Sequence, residues 1–198
     1  MAALSIARRY SAGVAKLQTS PEPGQWALPD LWLLSDARND AVLEGALACL
    51  PRGSGFVFRH YHLDPGARQE RFEALRDAAR KRDHVVVLSG SPVLARKWRA
   101  DGVYGPAGAM PRDDSLLKIA TAHDWKEIVA AERAGADAIL LSPVFSTASH
   151  PDAKPLGPVR FRLLARKTQV PVIALGGMTH ARAKRLGWPR WAAIDGLS

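Results

Sequence analysis

Apolar residues fall along this chain in short unbroken runs rather than alternating with polar ones: "LWLL" (31–34), "GFVFR" (55–59), "HVVVL" (84–88), "GVY" (102–104), "LLKIAT" (116–121), "DAILL" (137–141), "PVIAL" (171–175) and "WAAI" (191–194). Each run leads into turn residues and then, in most intervals, into a segment with one apolar face at helical spacing. Those segments lie near 39–50, 66–82, 91–100, 123–134, 158–168 and 179–187. The fourth interval differs, because "GPAGAMPRDDS" is too rich in Gly and Pro for a full helix. A strand without polar alternation is covered on both faces, the condition of a parallel strand packed between helices. Eight such units predict an α/β chain folded as a closed (β/α)8 TIM barrel over 31–198, with an open doubly wound sheet as the alternative.

The 198 residues suffice for one sizeable core and are few for this barrel, so a single domain with short loops is expected. Residues 1–30 precede the first run and form an N-terminal extension. Its start, "MAALSIARRYSAGVAKLQTS", carries Arg8, Arg9 and Lys16 and no acid, the composition of an amphipathic targeting peptide. It lacks the long apolar region and small-residue cleavage site of a secretory signal, so a capping helix is the preferred reading. "PEPGQW" then leads into the domain. No stretch approaches the ~18 consecutive apolar residues of a membrane span. Cys49 is alone in the chain, among Leu47, Ala48 and Leu50, so neither a disulfide nor a thiolate metal site is expected. A packed core thiol is expected there rather than a nucleophile, and a cytoplasmic location suits this cysteine usage.

Charge narrows the partners. The 28 Lys and Arg against 19 Asp and Glu give +9, which favours anions. The cations are interleaved with acids, as in "ARQERFEALRDAARKRD", with no aromatic-interleaved basic run on which bases could stack. A phosphorylated small molecule is therefore expected, not nucleic acid and not a membrane, and a homo-oligomer is left open.

In a parallel barrel the site lies at the carboxyl ends of the strands, where this sequence turns polar. Gly176 and Gly177 follow "PVIAL" directly and precede Thr179, whose hydroxyl can cap the next helix. Two residues without Cβ let backbone amides approach a phosphate at a helix start, although a glycine pair can also serve only to supply positive φ. The long loop "SPVFSTASHPDAKPLG" offers Thr147 and Ser149 as hydroxyl donors, and His150 or Lys154 as positive charge. Arg59 ends the second strand, where it suits a diphosphate or carboxylate, or an ion pair with Asp36. His60 and His62 should face away from Arg59 and Tyr61, and neither has metal-ligand spacing. His123, in "TAHDW", is either a proton carrier at the mouth or a helix-start residue.

Together these residues resemble the superfamily of thiamine phosphate synthase and thiazole tautomerase. The similarity runs from about Leu31 onward and is strongest over "AHDWKEIVAAERAGADAILLSPVFST" and "VPVIALGGMT", with "RADGVYG" similar to the family's fourth-strand segment. The resemblance implies a (β/α)8 barrel and the coupling of a pyrimidine diphosphate to a thiazole phosphate. It implies that Arg59 matches the Arg of a diphosphate-binding Arg-x-Lys, that Thr147 and Ser149 match a Thr-x-Thr loop, and that Gly176 and Gly177 match the thiazole-phosphate turn. Taking the residues and the resemblance together, Arg59, His123 and His150 are expected to be catalytic, and Thr147, Ser149, Lys154, Gly176, Gly177 and Asp195 to bind substrate or phosphate.

The departures cluster where negative charge must be handled. Tyr61 stands in place of the Lys of Arg-x-Lys, Ser89 and Gly90 in place of Asn-Asp, and "YGPAG" lacks the usual acid. Mg²⁺ is expected of the family, but its ligands are not matched, and no metal is assigned. His150 replaces the Lys after Thr-x-Thr unless Lys154 reaches back, and Asp195 stands where the family has Ser. Pro143 fills the place of the tautomerase's pocket His. The chain is thus either a divergent synthase, a proton-transfer catalyst of the tautomerase type, or a non-catalytic binder of a phosphorylated heterocycle.

Overall fold

The computed structural model describes residues 27–112, 114–147 and 154–197. Eight parallel strands, β1 (Leu31–Leu34), β2 (Gly55–Phe58), β3 (Val85–Ser89), β4 (Gly102–Gly105), β5 (Leu117–Ala122), β6 (Ala138–Leu141), β7 (Val172–Ala174) and β8 (Trp191–Ala193), close into a barrel in sequence order. The closing pair sets Leu33 of β1 against Ala193 of β8. The closed barrel is the expected one, and the doubly wound sheet is excluded. Most of what the sequence reading assigned to residues 1–30, together with Ser149 and His150, lies outside the described residues.

Six helices cover the barrel: α1 (Leu43–Cys49), α2 (Pro65–Arg80), α3 (Pro92–Lys97), α4 (Trp125–Arg133), α5 (Gly157–Ala165) and α6 (His180–Leu186). Their starts follow local chemistry. Asp64 accepts from the amides of Gly66 and Ala67 ahead of Pro65, Ser91 accepts from Leu94 ahead of Pro92, and Asp124 accepts from Glu127. Thr179 caps α6 by accepting from the Arg182 amide, and Gly187 ends it in the left-handed conformation. The glycine- and proline-rich fourth interval holds only a short 3-10 turn, Ala107–Ala109.

Burial explains why the strands read as continuous apolar runs. One set of strand residues, among them Trp32, Leu34, Val57, Val87, Ile119, Leu140 and Ile173, fills the barrel interior. The intervening residues pack outward, Leu33, Phe56, Phe58, Val86 and Leu88 in one cluster with α1 to α3, and Ala120, Ile139, Leu141 and Val172 in another with α4 to α6. Gly55 makes room for the Trp32 ring, since a Cβ there would lie 2.1 Å from it. Cys49 corrects the expectation of a core thiol: it is exposed. The apolar face of α1 is formed by Leu43, Ala46 and Leu47, and Cys49 falls outside that stripe. Among the described residues no helix is long and apolar enough to cross a membrane.

Candidate functional site

The loop leaving β6 is stitched onto the turn leaving β7. The amide of Val144 donates to Leu175 O at 2.8 Å and that of Phe145 to Gly176 O at 3.0 Å. Gly176 and Gly177 both have positive φ, +99° and +59°. A Cβ on Gly176 would lie 2.6 Å from Pro143 Cα, and one on Gly177 would lie 2.4 Å from Ser146 O. The glycines are therefore demanded first by the close passage of this loop. That passage leaves a cavity of about 230 Å³ beside the turn, lined by Gly176, Gly177, Ser146, Thr147, Arg182 and Asp195 among others. Asp195 faces Arg38 at 3.3 Å, an exposed ion pair at the edge of this cavity.

A second cavity of about 630 Å³ opens over the middle of the barrel mouth. Arg59, Tyr61, Tyr104, Thr121 and His123 line it, and it shares Thr147, Leu175, Gly176 and Ile194 with the first. The two cavities therefore adjoin as one bipartite site. The ion-pair reading of Arg59 holds, since its Nη2 lies 3.3 Å from Asp36 Oδ2, and the residue also lines this cavity. Asp36 also receives Arg38 Nε at 2.9 Å. Burial pushes the Asp36 carboxyl up, but hydrogen bonds from Arg38 and the neighbouring guanidinium charges outweigh it, and the net shift is downward. Burial pushes the Tyr104 phenol up to about 12, so it stays protonated. The Tyr61 hydroxyl is hydrogen-bonded to Ser89 Oγ.

His60 faces away from this mouth, as its alternation with Arg59 suggested, and it organises the end of β2 from behind. Ser35 Oγ accepts the Arg59 amide at 2.7 Å and lies 2.8 Å from His60 Nδ1, while His60 Nε2 lies 2.7 Å from Asp40 Oδ1. Arg71 Nε donates to that same Asp40 oxygen at 2.7 Å. Burial drives the His60 pKa down against the opposing pull of Asp40, so the neutral ring donates from Nε2 and accepts the Ser35 hydroxyl proton at Nδ1. Arg68, which the sequence reading passed over, supports the same strand ends by donating to Arg59 O at 3.1 Å and Ser89 O at 2.6 Å. Its guanidinium lies over the Phe58, Tyr61 and Trp98 rings.

His123 stands at the start of α4 and at the cavity. It is exposed, lines the second cavity, and holds Glu127 Oε2 at 2.8 Å through Nδ1, while Glu127 also accepts the His123 amide. Lys154 is exposed, and neither cavity counts it among its described lining residues. Arg182 is the functional candidate that sequence reasoning missed. Its only signal was a cation three residues after the capping Thr179, a spacing too common to single out.

The residues present do not fit Mg²⁺. That ion takes hard oxygen ligands, carboxylates above all, and the described lining of the second cavity supplies hydroxyls without a carboxylate. Ser89 is engaged by Tyr61, and the carboxylates of Asp36 and Asp195 are held by arginines. Among the described residues no group of three or more His, Cys, Asp or Glu is placed to hold a metal.

Fold and cavities together define a small (β/α)8 barrel with a two-part site at the carboxyl ends of its strands. The model of the thiamine monophosphate synthase family matches residues 32–192, and the chain belongs to that family. It is 29% identical over 166 residues to a putative thiamine-phosphate synthase 2 of Aquifex aeolicus, covering 79% of this chain and 89% of that protein. It is likewise 29% identical over 168 residues to a thiamine-phosphate synthase of Chloroflexus aurantiacus, covering 80% and 76%. Among solved structures it is similar to thiamine phosphate pyrophosphorylase from Pyrococcus furiosus, with a TM-score of 0.69, 25% identity, and coverage of 83% and 85%.

Proposed function

We propose that this chain couples a pyrimidine diphosphate to a thiazole phosphate, as the names of its relatives suggest. The thiazole phosphate occupies the cavity beside Gly176 and Gly177, roofed by Thr147. The pyrimidine ring occupies the second cavity between Tyr61 and Tyr104, with its diphosphate toward Arg59. Cleavage of the C–O bond releases pyrophosphate with both bonding electrons, and the thiazole nitrogen donates its lone pair to the resulting carbocation. The products are thiamine phosphate and pyrophosphate. The observation that carries this reading is the shared wall of the two cavities, which would place two substrates in contact while each faces its own arginine, Arg59 on one side and Arg182 on the other. No step is routed through a metal, because the described residues do not supply the donors for one.

The test is incubation of the purified protein with both substrates and chromatographic detection of thiamine phosphate together with pyrophosphate. Formation of both in equal amounts is expected. Neither product at high enzyme concentration would overturn the reading and leave a binding protein.

A second reading is proton transfer on the thiazole phosphate alone. It is favoured by the His123–Glu127 pair, in which the Nδ1 contact leaves Nε2 as the basic nitrogen of a residue at the cavity. Interconversion of thiazole tautomers without the pyrimidine, followed by proton exchange in NMR and lost in His123→Gln, would select it.

A further inference from the structure

The smaller cavity contains a cation that the loop after β6 does not supply. Arg182 donates from Nη1 to Gly177 O, and its guanidinium carbon lies 5.0 Å from the centroid of the Phe145 ring. Both partners are neutral, so neither cancels its charge. Arg38 and Arg59 at this rim behave differently: Arg38 faces Asp36 and Asp195, and Arg59 faces Asp36. The described lining beside the glycine turn holds one cation, Arg182, and one carboxylate, Asp195, and the latter lies 3.3 Å from Arg38. Arg182 is exposed, and its contacts with the Gly177 carbonyl and the Phe145 ring keep its guanidinium beside the cavity it lines. A planar fork of donors next to an aromatic ring can meet the oxygens of a tetrahedral oxyanion with two hydrogen bonds.

We infer that Arg182 is the specificity residue for the phosphoryl group: its guanidinium donates charge-assisted hydrogen bonds to phosphate oxygens beside Gly176 and Gly177, so that the site takes a phosphorylated heterocycle and rejects the corresponding alcohol. The inference rests on the phosphate reading of this cavity given above. A merely structural Arg182, bracing the Gly177 carbonyl, would act on phosphate and alcohol alike. A phosphate-reading Arg182 discriminates between them.

The experiment is calorimetric titration of the full chain with the thiazole phosphate and, separately, with the unphosphorylated thiazole alcohol. Arg182→Gln keeps an amide that can still donate to the Gly177 carbonyl. Arg182→Met, a second charge-free variant, still covers the Phe145 ring if the first fails to fold. Removing one charged donor should weaken the phosphate about tenfold to a hundredfold and leave alcohol binding unchanged. The wild-type preference for phosphate over alcohol should fade as salt is raised, and that salt dependence should be absent in the variants. If wild type prefers the phosphate and the variants keep that preference, the inference is wrong while the phosphate reading survives. Equal losses for both ligands would make Arg182 structural and also overturn it. A wild type that binds phosphate no better than alcohol would remove the phosphate reading and the inference together.

Discussion

Arg59 Nη2 lies 3.3 Å from Asp36 Oδ2, an ion pair that joins the carboxyl ends of β1 and β2 at the lip of the larger cavity. The side chains are only 16% and 19% exposed, so solvent screens the pair little. An incoming diphosphate must compete with Asp36 for the guanidinium. Asp36→Asn removes that competitor and should raise affinity for pyrophosphate roughly fivefold, the upper end for an ion pair near a surface. Titration of both proteins with pyrophosphate in metal-free buffer checks this, and equal affinities would place the anion elsewhere than at Arg59.

Metal removal separates this chain from a barrel with a carboxylate-bound cation. The carboxylates of Asp36 and Asp195 are already held by arginines and Ser89 by Tyr61, so product formation should proceed at the same rate with EDTA as with added Mg²⁺. A reaction dependent on Lewis-acid neutralisation of the leaving group would slow by about a thousandfold or more on chelation. Loss of turnover in EDTA would show that the substrate's own oxygens complete a site this chain only begins.

Gly177→Ala tests the rim as a piece of backbone. The residue has φ +59°, and an added Cβ would meet Ser146 O at 2.4 Å and the Phe145 Cβ at 3.1 Å. The substitution should therefore cost about 1–3 kcal/mol of stability. Sequence logic alone suggests that an acidic replacement here would spoil phosphate binding and leave the fold intact. The packing of the β6 loop on the turn removes that separation. Chemical denaturation of Gly177→Ala measures the effect, and an unchanged midpoint would mean that the loop moves aside at no cost.

Acid should loosen the back of the site before it touches the carboxylates. The His60 pKa is lowered in the fold from its ordinary 6.5, with burial as the largest cause, so the unfolded chain binds the proton more readily. Stability should then fall as pH drops below about 6.5 and level off beneath the folded-state pKa. Asp40, pushed up by burial but down on balance by His60 and Arg71, loses its own contribution only at lower pH, beneath the ordinary carboxylate value of 3.8. Denaturation midpoints from pH 7.5 to 5 in wild type and His60→Gln check this: the slope should flatten in the variant. Parallel slopes would assign the acid sensitivity to another group, such as His84, which burial also shifts downward.

The barrel was legible because its information is local. Every strand from Leu31 to Ala193 falls within about one residue of its apolar run, since a strand buried on both faces leaves a continuous signature. The helix start at Thr179 was legible for a similar reason, because a cap is a contact between residues two or three apart. Gly176 and Gly177 stood out by composition alone. Their reason did not, because the Pro143 and Ser146 backbone that requires them arrives from another strand.

What the sequence by itself determined is thus the order of eight strands, their burial and the rim at which chemistry would gather. Tertiary structure decided which charges at that rim are already answered: Asp36 by Arg38 and Arg59, Asp195 by Arg38, and Asp40 by Arg71. It also decided that Arg182 should lie over Phe145, 37 positions earlier in the chain, and that Cys49 should face outward. Apolar burial repeats along the chain and can be read from it. An ion pair depends on a few ångströms between side chains that only the closed barrel brings together.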